Sequence, residues 1–261
     1  MKDLTLRTRL KRVADLGQLR VICTDFAEDL GCPFYLYGLR IPTSLAEPYH
    51  LTITNYPAFW QQRYEEKAYL RVDPVVAHVV ESSTPVYWDE LPQFSPDTRD
   101  FFRDAADFGI ADGLTTPIYG RGCEIGLFSV ARGQPMPRGE HKRLNLARRV
   151  QWFSIELHEH ARRRLLGKFD LPISLNALKM TEKECLLWLA EGKSADQTAK
   201  LLDITAAAVE QHLKSAAGKL GTRDFGNAVA RAAALGEIHP PSYVTRSKHA
   251  TPPIAWHGRT T

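Results

Sequence analysis

A chain of 261 residues with 44% apolar side chains is long enough for one large or two modest globular domains, which excludes disorder throughout. Its formal charge of +4 permits nucleic acid or anionic partners without requiring them. Cys23, Cys32, Cys123 and Cys185 form no close pairs, so neither a zinc knuckle nor a disulfide framework is expected; with no signal-like or membrane-length apolar run, the expectation is a soluble cytoplasmic protein without a membrane partner.

Apolar residues recur at helical spacing from Leu16 to Leu30, and Gly31 stands where a left-handed residue would stop that helix. Two extended segments follow, Phe34 to Ile41 and Leu51 to Thr54, separated by a loop holding Pro42 and Pro48. Pro57 opens a short aromatic helix with Phe59, Trp60 and Tyr64. Asp73-Pro74 joins a favoured N-cap to a favoured first helical residue and predicts a helix to about Glu81. Val86 to Trp88 reads as extended, and Pro96 to Phe108 as a helix ended by Gly109. Leu114 to Tyr119 and Glu124 to Ala131 read as a hairpin about Gly120-Arg121-Gly122. Arg138 to Leu166 is a long helix whose stripe of Leu146, Val150, Phe153, Leu157 and Ala161 covers a sheet face. Its second strip, Trp152 and Ile155, is left for a partner copy or for the chain's own C-terminal part. Residues 1–166 therefore form an antiparallel sheet between helices, an α/β/α sandwich, and the whole chain is of the α+β class.

Residues 167–178 lack periodicity and read as an inter-domain linker, and residues 239–261 as a disordered tail. Between them, over 179–238, the composition becomes short-helical. Thr181 with Glu184 has the form of a capping box, and Ser194 with Gln197 repeats it. The second helix runs from Ala195 to Leu202, a turn at Asp203-Ile204 leads to Thr205 as the cap of a third, and a fourth spans Asn227 to Leu235. Helix, tight turn, helix is the helix-turn-helix arrangement. In the third helix Val209, Leu213, Ala216 and Leu220 share one face, which turns Ala206, Ala207, Glu210, Gln211 and Lys214 outward, where they would meet the major groove.

Met180-Thr181-Glu182-Lys183-Glu184, Leu189-Ala190-Glu191-Gly192-Lys193-Ser194, Val209-Glu210-Gln211-His212-Leu213 and Lys219-Leu220-Gly221 follow one another in the order of the LuxR-type DNA-binding domain, which this four-helix module resembles. The resemblance implies double-stranded DNA as a partner and candidate contacts at Thr205, Ala207, Glu210, Gln211, Lys214 and Lys219. The bland alternative is a four-helix interaction module without DNA. The cations of this module are matched one for one by carboxylates, so a single domain should bind phosphates weakly and need a homodimer.

In the N-terminal part Tyr56, Trp60, Tyr64, Asp73 and Trp88 combine bulky walls with a few directed polar groups. An indole only donates, an ionised carboxylate only accepts, and hydroxyls do either, so together they suit a guest with an amide N–H and carbonyls. Taken singly, Trp60 and Trp88 read equally as core aromatics, Asp73 as a helix cap and Ser129 as a strand residue. Taken together, Trp60, Tyr64, Asp73, Pro74, Trp88 and Gly113 resemble the signature of acyl-homoserine-lactone receptors, and Tyr69 to Pro74 resembles their LasR and QscR branch. The resemblance implies a GAF- or PAS-like layering, an N-acyl-homoserine lactone as effector and no cofactor. It implies that Trp60 donates to the lactone carbonyl, Asp73 accepts from the amide N–H, Tyr56 and Ser129 address the amide carbonyl, and Trp88 packs on the lactone. Leu36, Gly38, Tyr64, Val76, Thr115, Ile125 and Leu127 would line the acyl channel, with Leu127 and Tyr64 shortening it.

Enzyme readings are weaker, and no enzyme is expected. His158-Glu159-His160 lacks the one-turn spacing of a zinc protease and reads as a solvated face. Gly120 to Gly126 misses the dinucleotide fingerprint by one residue. The expected function is a transcription regulator that binds a lactone and DNA; the alternatives are a regulator sensing another small molecule and a pocket-bearing hydrolase fused to an interaction domain.

Overall fold

The computed structural model describes residues 2–92, 95–164 and 178–239, and the chain divides into two compact units, Met1–Ala177 and Leu178–Thr261. The predicted linker lies outside the described residues except at its end: Leu178 is buried, so the second unit takes in the last residue assigned to the linker. The predicted tail lies outside them from residue 240 onward. Among the described residues, no helix is long and apolar enough to cross a membrane.

The first unit opens with a helix that the periodicity reading leaves out, α1 (Lys2–Arg12). Leu6 and Leu10 are its buried stripe, which Val13 continues just past the helix end, diluted in the sequence by interleaved arginines. The helix α2 (Leu16–Asp29) is capped by Asp15, whose carboxylate accepts from Gln18 N–H at 2.8 Å, and Gly31 beyond it takes a φ of 71°. Strands β1 (Phe34–Ile41), β2 (Tyr49–Thr54), β3 (Val86–Tyr87), β4 (Asp112–Tyr119) and β5 (Ile125–Arg132) form one antiparallel sheet in the order β2-β1-β5-β4-β3. Trp88 does not extend β3; it opens a single 3-10 turn, Trp88–Glu90, which swings the indole over the sheet.

Strand alternation gives the sheet two different faces. On one, Tyr35, Tyr37, Leu39, Phe128 and Val130 are buried against α2 and the long helix α6 (Glu140–Arg164), and the Phe26 and Phe153 rings stack 3.8 Å apart. His158 and His160 belong to this interior, a correction to the solvated face expected of them: the Tyr37 hydroxyl meets Nδ1 of His158 at 2.9 Å, and burial lowers the pKa of both histidines. On the other face Leu36 pairs with Ser129, Ser129 with Thr115, and Gly38 with Leu127. Helices α3 (Ala58–Glu66), α4 (Pro74–Glu81) and α5 (Pro96–Asp107) lie over it. The α/β/α layering follows.

The second unit is four helices, α7 (Met180–Ala190), α8 (Ala195–Leu202), α9 (Ala206–Lys219) and α10 (Phe225–Ala234). The capping box at Ser194 and Gln197 forms, and Thr205 accepts from Ala208 N–H at 3.2 Å. The box expected at Thr181 and Glu184 does not. The helix starts earlier, at Met180, and Glu182 accepts from the Lys179 N–H at 2.7 Å, because Lys219 and Ser215 draw that carboxylate inward. Asp203 takes the left-handed conformation at φ 56°, which makes the tight turn between α8 and α9.

Candidate functional site

Over the second sheet face the buried side chains of Tyr56, Trp60, Tyr69, Val86, Trp88 and Phe101 form one cluster, with Leu36, Tyr64, Phe102 and Phe108 packed against it. Trp60 sits at its centre: Tyr64 and Tyr69 lie 5.9 Å away by ring centroids, Phe101 and Phe108 5.8 Å. Its place follows from Pro57, which starts α3 so that Trp60 and Tyr64, one turn apart, face the same way. Gln61 fixes the entry to that helix by donating to the Tyr56 carbonyl at 2.7 Å.

Asp73 does two jobs. One oxygen caps α4, accepting from Val75 N–H at 2.8 Å and Val76 N–H at 3.4 Å, and the other accepts from the Tyr64 hydroxyl at 2.9 Å. Burial pushes its pKa up to about 6 against the pull of those three hydrogen bonds. Tyr56 and Tyr64 are raised well above the usual phenol range, first by burial and then by the Asp73 charge, so both stay neutral donors.

A second polar group lies on the sheet beneath. Trp88 Nε1–H donates to Thr115 Oγ1 at 2.9 Å, and Thr115 Oγ1 lies 2.7 Å from Ser129 Oγ. Gly113 makes room for that indole, since a Cβ there would stand 2.7 Å from Trp88 Cε2. The fold thus gathers Tyr56, Trp60, Tyr64, Asp73, Trp88, Thr115, Ser129 and Leu36 at one end of the sheet face. Gly38 with Leu127 continue it by one step along the strands, and Ile125 by another, beside Arg40; Val76 is half-buried on α4.

Two of the expected channel residues also make polar contacts: the Tyr64 hydroxyl donates to Asp73, and Thr115 is fully buried with its hydroxyl engaged by Trp88. Both contacts have one cause: a hydroxyl in an apolar enclosure takes the nearest partner. The walls at Tyr69, Phe101, Phe102 and Phe108 were missed, although Phe101 and Ala105 mark the buried stripe of α5.

In the second unit α9 buries Val209, Leu213, Ala216 and Ala217 and exposes Ala207, Glu210, Gln211 and Lys214. Lys219 stands apart from that exposed face. Its ammonium is committed to Glu182, at 2.8 and 2.7 Å from the two oxygens, and Ser215 donates to the same carboxylate at 2.7 Å. Burial alone would raise the Glu182 pKa, but these bonds, Lys219 first, hold it below the usual range.

Residues 15–161 match the family model of the autoinducer binding domain, and residues 176–232 that of bacterial regulatory proteins, luxR family. The chain belongs to the LuxR family. The transcriptional activator AnoR of Acinetobacter nosocomialis is 29% identical over 228 residues, 86% of this chain and 93% of its own length. The quorum-sensing regulator RhlR of Pseudomonas aeruginosa is 28% identical over 236 residues, 89% of this chain and 95% of its own. Escherichia coli SdiA shares the fold with a TM-score of 0.78 at 24% identity, covering 90% of this chain and 97% of that one. CepR2 of Burkholderia cenocepacia, described as an N-acylhomoserine-lactone-dependent LuxR-family factor, gives a TM-score of 0.54 at 26% identity over 64% of this chain and 99% of its own. This LuxR-family chain is a ligand-responsive transcription regulator, with an autoinducer-binding domain ahead of a helix-turn-helix DNA-binding domain.

Proposed function

We propose that the autoinducer of this regulator is an N-acyl-homoserine lactone, and that the protein acts in the cytoplasm as a homodimer on double-stranded DNA, without catalysis or cofactor. Trp60 would donate to the lactone carbonyl, Asp73 accept from the amide N–H, Tyr56 and Ser129 address the amide carbonyl, and Trp88 pack beside the ring. Leu36, Gly38, Tyr64, Val76, Thr115, Ile125 and Leu127 would line the acyl channel. Thr205, Ala207, Glu210, Gln211 and Lys214 present the DNA-facing surface.

The observation that carries this reading is the convergence of Trp60 and Asp73 on Tyr64, one through its ring and the other through its hydroxyl. A side chain that only donates and one that only accepts thereby flank the same tyrosine, which suits a guest carrying a carbonyl and an amide N–H. The half-burial of Leu36, Gly38, Leu127 and Ile125, against the full burial of their neighbours on the other face, supports an apolar chain laid along β1 and β5. Thermal melting with N-acyl-homoserine lactones beside their ring-opened acyl-homoserines tests it. Lactone should raise the melting temperature by mass action and the ring-opened forms should not; no shift with any lactone overturns the reading.

A further inference from the structure

We propose that Glu210 is a base-selecting residue of the DNA-binding unit: its carboxylate accepts from the N4 amino group of a cytosine in the major groove, so that each half-site carries a fixed C·G pair. The proposal rests on the reading above in which α9 turns this face to DNA.

Along its exposed face α9 carries Ala207, Glu210, Gln211, Lys214, Ser215 and Gly218. Ala207 and Gly218, near its two ends, hold no polar side-chain atom, and a Cβ on Gly218 would meet nothing within 4 Å, so neither end obstructs a close approach. The Ser215 hydroxyl and the Lys219 ammonium are both drawn to the buried Glu182 carboxylate, and His212 is half-buried. Glu210, Gln211 and Lys214 are therefore the side chains of α9 that reach solvent with polar ends.

Glu210 is the anion of the three. Beside phosphates it is repelled. Its contact with Lys214 one turn on, at 3.9 Å with both side chains more than half exposed, is a solvent-screened pair that adds little to the helix. A carboxylate is favoured in the groove where a base edge offers it a donor, and the major groove offers two, N6 of adenine and N4 of cytosine. A carboxylate only accepts, so at adenine its second oxygen faces the lone pair of N7, whereas cytosine has no acceptor on its own major-groove edge. Guanine N7 and O6 and thymine O4 are acceptors and repel it. Glu210 also stands in the N-terminal half of α9, the part of a recognition helix that meets base edges. Lys214 offsets the repulsion of the approach by serving a phosphate, which leaves the selection to Glu210.

Selection from a random duplex pool by the full-length chain, with N-acyl-homoserine lactones present and absent, followed by fluorescence anisotropy on the selected duplex, tests this. In the wild type one position per half-site should be cytosine, and each other base there should weaken binding about tenfold. Glu210→Gln should move that one position to adenine, because an amide donates to N7 while accepting from N6, and should leave the other positions as they were. Glu210→Ala should make the four bases equivalent there without weakening binding to unrelated DNA. A cytosine preference that survives in Glu210→Ala, or the same bases selected by Glu210→Gln and the wild type at every position, overturns the proposal, as does a wild type that enriches no sequence. Lys214→Ala separates the two layers of the argument. If it lowers the salt dependence of binding while the Glu210 variants alter no base preference, the cytosine contact alone fails; if it changes nothing and no position responds to Glu210 or Gln211, α9 is not the DNA-facing surface and both readings fall.

Discussion

The hydroxyl of Tyr64 donates to Oδ2 of Asp73 across 2.9 Å, while Oδ1 of the same carboxylate caps α4 through the Val75 N–H at 2.8 Å. One side chain thus anchors the helix above the sheet and holds a charge inside the aromatic enclosure. Burial raises its pKa to about 6, so the charge is present at neutral pH at some cost to the ligand-free fold.

That cost sets a pH dependence. Between the ordinary carboxylate value and about 6 the folded chain binds more protons than the unfolded one, so this group's contribution to stability declines as pH rises through that window. Ligand works in the opposite sense, since an amide N–H favours the ionised form. Lactone affinity should be flat above about pH 7 and fall by at most about tenfold per unit below about pH 6. Titration calorimetry across pH 5 to 8 checks this, and Asp73→Asn should give a weak, pH-independent profile.

Tyr64→Phe removes a hydrogen bond that lowers the Asp73 pKa. The midpoint of the affinity profile should therefore move to higher pH, with a loss at neutral pH of about 1 to 2 kcal/mol. A midpoint that stays in place would show that the contact to Asp73 does not tune the site.

Gly113→Ala should destabilise the first unit by about 1 to 3 kcal/mol, because the new methyl would stand 2.7 Å from Trp88 Cε2 and 2.7 Å from the Val130 carbonyl oxygen. Urea unfolding measures the loss. Near-ultraviolet circular dichroism should show the displaced indole.

Lys219 and Lys214 should separate stability from DNA affinity. Lys219→Met leaves the buried Glu182 without its cation and should cost about 1 to 3 kcal/mol of folding stability, less than a fully buried pair because the ammonium is partly solvated. Lys214→Ala touches an exposed side chain and should leave the melting temperature unchanged while lowering the salt dependence of DNA binding by about one counterion. The reverse assignment would return Lys219 to the DNA-facing surface.

Leu127 lies over Gly38, its Cγ 3.6 Å from where a Cβ on that glycine would be. We expect the wild type to favour short or medium acyl chains and Leu127→Ala to shift the optimum to longer ones, measured as dissociation constants across a chain-length series. A wild type that binds the longest chains tightest would contradict this.

Features that depend on near neighbours in the chain were legible in the sequence. Asp73-Pro74, Ser194 with Gln197, Gly31 and Gly109 act within a turn or two of themselves, and each helix boundary they mark is found in place. The same holds for the inward alternation of Ile125, Leu127 and Ser129, which strand geometry alone dictates. The partners of buried polar groups were not legible, because they come from elements far apart in the chain. Glu182 found Lys219 and not the local cap, His158 found Tyr37 across the sheet, and Thr115 joined Trp88 to Ser129. In an apolar interior each such group must satisfy its hydrogen bonds with whatever the packing brings near, and only the tertiary structure decides what that is.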